Sequence, residues 1–269
     1  MLKLRLPLTA SLLLLAIGSV AATTISQFNV PIIQDFDSLA LSGTTNSTLP
    51  SGWSFVESGA GANTTYATST GSSATGNTYS FGATASTDRA FGTLRTSSLL
   101  SEIGTEVINA TGATITSLAI AYTGEQWRLG AIGRVDRLSF AYSLDATSLT
   151  TGSWLDVAEL DFVAPITTGV TGALDGNAVV NQSAISHTIT GLSLAPSATV
   201  WLRWSDFVAT GSNDGLAIDL VSISALQAVT PQQPTATVPD SMPSFVLIVV
   251  VLGLLRAGTI RRKSDSDPC

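Results

Sequence analysis

The side chains best suited to chemistry in this sequence are carboxylates and carboxamides in two runs far apart in the chain. IIQDFDSL (32–39) carries Asp35 and Asp37, and SDFVATGSNDGLAIDLVSI (205–223) carries Asp206, Asn213, Asp214 and Asp219. Calcium takes roughly six to eight oxygens from carboxylates, amide carbonyls and backbone. First and last strands of a sandwich often pair, which would bring the two runs to one sheet end. The expected metal is therefore a structural Ca2+ held by these six residues. Their spacing is not that of an EF-hand loop. The competing reading is structural: Asn213, Asp214 and Gly215 make a tight turn, and Asp219 bonds backbone at a strand edge.

Catalytic constellations are poorer. The one histidine, His187, shares a strand face with Ile185 and Ile189. A nucleophilic site needs a base held beside its nucleophile, so His187 reads as a packed strand residue. One histidine and one cysteine, Cys269, exclude a His-rich zinc site and an intrachain disulfide. Glu159 and Asp161, two apart in AELDF, would share a strand face. Glycoside hydrolysis needs a partner carboxylate placed for acid–base work, yet Val163, Ala164 and Pro165 follow. No catalytic residue is expected, and a divergent glycoside hydrolase using Glu159 and Asp161 is the remote alternative.

Five tryptophans are available, Trp53, Trp127, Trp154, Trp201 and Trp204. Stacking on a sugar ring requires an exposed indole. Trp201 and Trp204, three apart, face opposite sides of a regular strand, so one of them is the candidate ligand-stacking residue. Core packing is the expectation for most of the others.

The elements that must position these groups are strands. SLAIAYTGEQWR, RLSFAYSLD, SWLDVAELDF, AISHTITGLSL, TVWLRWSDF and DGLAIDLVSI each alternate large apolar residues with small or polar ones, the period of a sheet with one buried face. In RLSFAYSLD the alternation puts Leu138, Phe140, Tyr142 and Leu144 on one face. No helix is expected between Thr23 and Leu226. Many short strands at regular spacing predict an all-β, antiparallel two-sheet β-sandwich of jelly-roll type. The segment from Glu57 to Tyr79 is rich in Gly, Ser and Thr and is expected to be a long polar loop or a weak edge hairpin.

Charge narrows the partners. Only 12% of the 269 residues are charged. Between residues 23 and 241 six arginines face 17 carboxylates, leaving that region 11 charges negative. Such a surface repels phosphate backbones, so nucleic acid is not an expected partner and divalent cations are.

The ends carry addresses. Lys3 and Arg5, an apolar run to Val20 and the small residues Ala21 and Ala22 form a secretory signal peptide over residues 1–22. The sandwich domain is expected over 23–226, a Pro/Thr-rich linker over 227–241, a membrane-directed helix with its basic cluster over 242–263, and a polar tail over 264–269. The apolar run from Phe245 to Leu255 is 11 residues long, against about 20 for a stable span. It suits a transient transmembrane sorting helix, with Arg261, Arg262 and Lys263 held inside the membrane's cytoplasmic face.

Val238, Pro239, Asp240 and Ser241, followed by that apolar run and basic cluster, resemble a PEP-CTERM sorting signal of the VPDSG-CTERM subclass. The resemblance implies an exported bacterial protein recognised by the membrane transpeptidase exosortase and displayed on the cell surface, in the envelope or in the extracellular matrix. More loosely, QDFDSL, LPSGWSF, YTGEQWR, DRLSFAYS and the run ending in IDLVSI resemble jelly-roll and MAM-like domains of bacterial surface proteins, which implies a fold more than an activity. The expected role is a noncatalytic surface or matrix protein, with a carbohydrate-binding module for extracellular polysaccharide as the alternative.

Overall fold

A computed structural model describes residues 22–227. Residues 1–21, nearly all of the signal peptide expected over 1–22, lie outside the described residues, as does the chain beyond Gln227. That later part includes Val238, Pro239, Asp240, Ser241, Arg261, Arg262 and Lys263.

In chain order the strands are β1 (Thr23–Ile25), β2 (Ile32–Gln34), β3 (Trp53–Ser58), β4 (Ala67–Ser69), β5 (Asn77–Phe81), β6 (Ala90–Leu94), β7 (Leu100–Asn109), β8 (Ile115–Leu129), β9 (Arg137–Ser143), β10 (Leu155–Asp156), β11 (Phe162–Val163), β12 (Gly172–Ala173), β13 (Gln182–Leu194), β14 (Thr199–Asp206) and β15 (Gly215–Ala225). They form two sheets. A seven-stranded sheet runs β1-β7-β14-β9-β10, with β3 also on β7 and β11 also on β9. An eight-stranded sheet runs β12-β8-β15-β6-β5-β4, with β13 also on β8 and β2 also on β15. The pairing is antiparallel except for two short parallel pairs, β1 with β7 and β4 with β5. The described part is thus an all-β, two-sheet sandwich. Among the described residues the only helical turns are two 3-10 turns, Ala158–Leu160 and Val179–Asn181.

Alternation explains which face is buried. On β14, Val200, Leu202 and Trp204 point inward and are fully buried. On β8, Leu118, Ile120 and Tyr122 do the same. Trp204 is the centre of the core: its ring lies 5.8 Å from Trp53, stacked, and meets Phe140 and Tyr122 edge-on at 5.0 and 5.5 Å. Such pairs add about 0.5–1.5 kcal/mol each beyond the area they bury. A second, smaller apolar cluster forms on the other face of the eight-stranded sheet, where Trp127 stacks on Phe81 beside Tyr79 and Ala217.

Three expectations change. Leu144 does not continue the inward face of β9 but is 44% exposed, because Ser143 accepts the Ala146 N–H and bonds Asp145, starting a turn. SWLDVAELDF is not one strand. It breaks into β10, the first 3-10 turn and β11, which seats Leu160 in the core, where its carbonyl accepts the Tyr122 hydroxyl. Glu159 therefore stands on a 3-10 turn and not on a strand face shared with Asp161. The polar segment 57–79 is also tied down. Buried Glu57 accepts from the backbone and side chain of both Thr78 and Asn63, and Tyr66 is fully buried, donating to the Thr48 carbonyl.

One irregularity positions the site. β15 buries even-numbered residues, Leu216 and Ile218, and then odd-numbered ones, Val221, Ile223 and Ala225. The register against β8 shifts between Asp219 and Ser222. Leu220 absorbs the extra residue with a φ of 49° and is 54% exposed. A bulge of this kind re-aims the side chain beside it, here Asp219.

Candidate metal centre

The pairing of β2 with β15, Gln34 opposite Val221, carries the DFD run past the β15 bulge. Asp35, Asp37 and Asp219 consequently line one open cleft of about 270 Å³. Asp88, from the segment before β6, and Glu125, from β8, complete a wall of five carboxylates, while Thr123, Asn177 and Gln182 add further oxygens. Among the described residues no Arg or Lys lines the cleft. Arg89, the nearest in sequence, turns its guanidinium into the protein, where Nε donates to Ser80 Oγ at 2.8 Å and a second nitrogen to the Ser80 carbonyl.

Each acid has a different degree of satisfaction. Asp35 accepts the Asp37 N–H at 3.3 Å, Asp37 accepts the Arg89 N–H at 3.1 Å, and Asp88 accepts Asn177 Nδ2 at 2.7 Å. Glu125, 2% exposed, accepts Trp127 Nε1 at 2.8 Å and Gln182 Nε2 at 3.4 Å. Asp219 is 6% exposed, and its Oδ1 has no hydrogen-bond partner. Burial pushes the Asp219 carboxyl up to about 7, opposed by the Leu220 backbone and assisted by the charges of Asp88, Asp37 and Asp35. Burial likewise pushes Glu125 up to about 8, opposed by the Trp127 indole and assisted by Asp219 and Asp88. Both shifts have one origin, buried negative charge without a counter-ion.

The donor set suits a hard divalent cation: carboxylates, amide carbonyls and a hydroxyl, with no sulfur or imidazole. It is not gathered to a point, since no three acidic, His or Cys side chains among the described residues stand close enough to hold a metal as they are. The five acids sit spread over the cleft walls. Bulky residues with left-handed backbone adjoin these acids, Phe36 between Asp35 and Asp37 at a φ of 58° and Leu220 after Asp219 at 49°. Backbone strain of this kind concentrates at functional positions.

The remaining members of the six-residue set go elsewhere. Asp214 Oδ1 accepts the Gly130 N–H at 2.7 Å and Arg134 at 3.1 Å, and its Oδ2 accepts Gln126 Nε2 at 2.9 Å. Its own N–H donates to Asp136 Oδ2, which also pairs with Arg134 Nη1 at 2.9 Å. Asn213 bridges the Arg95 carbonyl and the Ala209 N–H. Asp206 Oδ2 accepts Thr93 Oγ1 at 2.6 Å and the Arg95 N–H at 3.0 Å. Asp206, Asn213 and Asp214 thus belong to a buried network that fastens strand ends, and only Asp35, Asp37 and Asp219 reach the cleft. Burial raises Asp206 to about 8, with the Asp136 charge adding, and Asp214 to about 6, with the Gly130 N–H opposing.

Trp204 is fully buried and so is corrected from ligand stacking to core. Trp201 faces the outer side of the seven-stranded sheet, half-buried, with its Nε1 unpartnered. Beside it Arg203 lies 3.9 Å over the Trp154 ring and pairs with Glu102 at 3.1 Å. Asp161 accepts the Phe140 N–H and pairs with Arg137 at 3.4 Å, so it is occupied structurally. His187 is half-buried on β13 opposite Ile120.

Asp88 and Glu125 were missing from the set read in the sequence. Glu125 had a signal in YTGEQWR: a carboxylate two residues before a tryptophan, on the face of β8 that the core does not use.

No family model and no curated protein matches this chain. Among solved structures the chain is similar to the K3 cleaved adhesin domain of Lys-gingipain from Porphyromonas gingivalis, at 12% identity over 73% of this chain and 100% of that one, with a TM-score of 0.41. It is similar to the CBM22-1 xylan-binding domain of Xyn10C from Paenibacillus barcinonensis, at 10% identity over 77% and 99% of the two chains, TM-score 0.36. It is also similar to the enzymatically active domain of bacteriophage CBA120 tailspike protein 4, at 11% identity and TM-score 0.35, over 71% of this chain but only 21% of that one. Likeness this distant leaves the cleft to be argued from its own residues.

Proposed function

We propose that the described domain is the ectodomain, of jelly-roll and MAM-like type, of an exported noncatalytic surface or matrix protein, and that it binds Ca2+ in the five-carboxylate cleft. The observation that carries this reading is Asp219 Oδ1, buried and unpartnered at a wall of acids with no cation. Leaving such a charged group unsatisfied costs upwards of about 1–3 kcal/mol, and a divalent ion removes that cost together with the mutual repulsion. Asp35, Asp37, Asp88, Glu125 and Asp219 would hold the ion, with Asn177 and Gln182 nearest among the amides. The ion would then tie together β2, β8, β15 and the segment before β6. After EDTA treatment, added Ca2+ is expected to raise the Tm of the chain; an unchanged Tm would sink the site, because a ligand bound only by the folded state must stabilise it.

Delivery belongs to the same proposal. The segment from Val238 to Lys263 serves as a signal for exosortase and a transient membrane helix, and the mature chain from its native host is expected to end near Ser241; an intact C-terminus refutes processing. A second reading, a module that binds extracellular polysaccharide, is favoured by Trp201, a partly exposed indole on an outer sheet face. It requires that Trp201→Ala abolish binding on a glycan array.

A further inference from the structure

A second cavity, of about 300 Å³, is lined by Arg95 and Arg128, with Thr96, Ser97 and Ser212 among its other walls. Its charge runs against the rest of the domain. Arg134, Arg137 and Arg203 are each paired with carboxylates. Neither Arg95 nor Arg128 has such a pair among the described residues. Arg95 Nη1 donates to the Asp206 carbonyl at 2.8 Å, and Arg128 Nη1 to the carbonyls of Gly71 and Ser72 at 3.1 and 3.3 Å. These bonds hold the guanidinium groups in place without cancelling their charge. Nε and Nη2 of both side chains have no protein partner among the described residues. Asp206, next to Arg95, spends its Oδ2 on the Thr93 hydroxyl and the Arg95 backbone N–H and makes no ion pair with the guanidinium.

We infer that this cavity is a binding site for a carboxylate-bearing sugar residue, of the uronic acid class. A planar guanidinium presents a fork that matches a carboxylate in bidentate fashion. Tethering to backbone carbonyls pre-orders both forks, which lowers the entropy lost on binding. The hydroxyls of Thr96, Ser97 and Ser212 offer donors and acceptors for a polyol ring. The volume is at the small end of the roughly 300–1,000 Å³ range of small-molecule sites, which fits one glycosyl unit. No aromatic side chain lines it, so recognition rests on charge and hydroxyls and not on stacking.

The inference is independent of the cation cleft, and its test is run in EDTA. Sodium glucuronate, glucose and sodium sulfate are titrated in turn against the full chain by calorimetry. Glucuronate is expected to bind saturably, and Arg95→Gln and Arg128→Gln to weaken it about tenfold each, the scale of one charge-assisted hydrogen bond. Both variants also lose a backbone tether, so Ala74→Asp serves as the check. It places a carboxylate on an exposed wall of the same cavity and is expected to abolish binding without lowering Tm. Three results would overturn the inference: glucose binding as tightly as glucuronate, sulfate alone binding as tightly, or no saturable binding of any of the three.

Discussion

Asp214 and Asp219 stand five residues apart, one just before β15 and the other at its bulge, and their surroundings are opposite. Asp214 is enclosed by the Gly130 N–H, Arg134 and Gln126, so every donor it needs comes from the protein. Asp219 is as buried, yet it faces four other carboxylates and keeps an oxygen unpartnered. The lesson is that burial of an acid is not itself a sign of function. Asp214, which the fold has satisfied, is a fastener; Asp219 Oδ1 is unpartnered in an open cleft lined by other acids, whereas Asp206 Oδ1, also buried and unpartnered, does not line that cleft.

The largest expected effect tests the fastener. Arg134 bridges Asp136 and Asp214 with only 9% of its side chain exposed. Arg134→Ala leaves two buried carboxylates without their cation and is expected to destabilise the chain by roughly 3–5 kcal/mol, read from the urea midpoint. A loss within about 0.5 kcal/mol, typical of an ordinary surface change, would erase the contrast. Next comes the cleft. At a Ca2+ concentration of about 100 times Kd the gain in stability is about 2.7 kcal/mol. Asp219→Asn is expected to remove most of this gain while costing little in EDTA, since it deletes an uncompensated charge. A variant that instead unfolds the EDTA-treated chain would show that Asp219 is a fastener too.

Titration separates the two regions more finely. Glu125, Asp219, Asp206 and Asp214 are raised to about 8, 7, 8 and 6, whereas unfolded acids titrate near 4. Each holds its proton more tightly when folded. Their contribution to stability is therefore complete below about pH 4 and is lost as pH rises through about 6 to 8. In EDTA the Tm is expected to fall between about pH 5 and pH 8.5. Of these four acids only Glu125 and Asp219 line the cleft, so with calcium held there, in competition with their protons, the Ca2+-induced rise in Tm should grow over the same interval. A Ca2+ effect that is flat with pH would detach the ion from these two residues.

How much of this was readable beforehand follows from where the information lies. Alternation in SLAIAY and TVWLRW specified which side of β8 and β14 is core, because period two is local. The bulge was not readable, since DGLAIDLVSI reads as one regular alternation and the switch of buried parity across Asp219 appears only in the register of β15 against β8. Asp35 and Asp37 could be joined to Asp219 from one rule about first and last strands. Asp206, Asn213 and Asp214 were drawn into the same set by nearness in sequence, whereas their partners Thr93, Gln126, Arg134 and Asp136 come from other strands and loops that no local pattern names. Asp88 and Glu125 were hidden for the same reason. Glu57 and Tyr66 show the converse, a Gly/Ser/Thr-rich stretch that reads as loose until two buried side chains from either end of it find their partners.

The smallest effect probes the strain that distinguishes the cleft from the network. Leu220 holds a left-handed φ of 49° with its side chain 54% exposed, so it spends conformational energy for little packing. Left-handed backbone costs a non-glycine residue roughly 1–2 kcal/mol, and glycine adopts it freely. Leu220→Gly relieves that strain but gives the unfolded chain more freedom, worth about 0.4–1 kcal/mol in the other direction. The net change in EDTA is expected to be within about 1 kcal/mol of zero, on the stabilising side. In Ca2+ the sign should reverse. The bulge that aims Asp219 becomes easier to deform, so the variant should gain less from the ion than the parent does. If Leu220→Gly gains as much from Ca2+ as the parent, the bulge is an accident of strand length and the cleft does not depend on it. If it gains less, the strained backbone at Leu220 is part of what holds Asp219 ready, a device that Asp214, satisfied from all sides, has no need of.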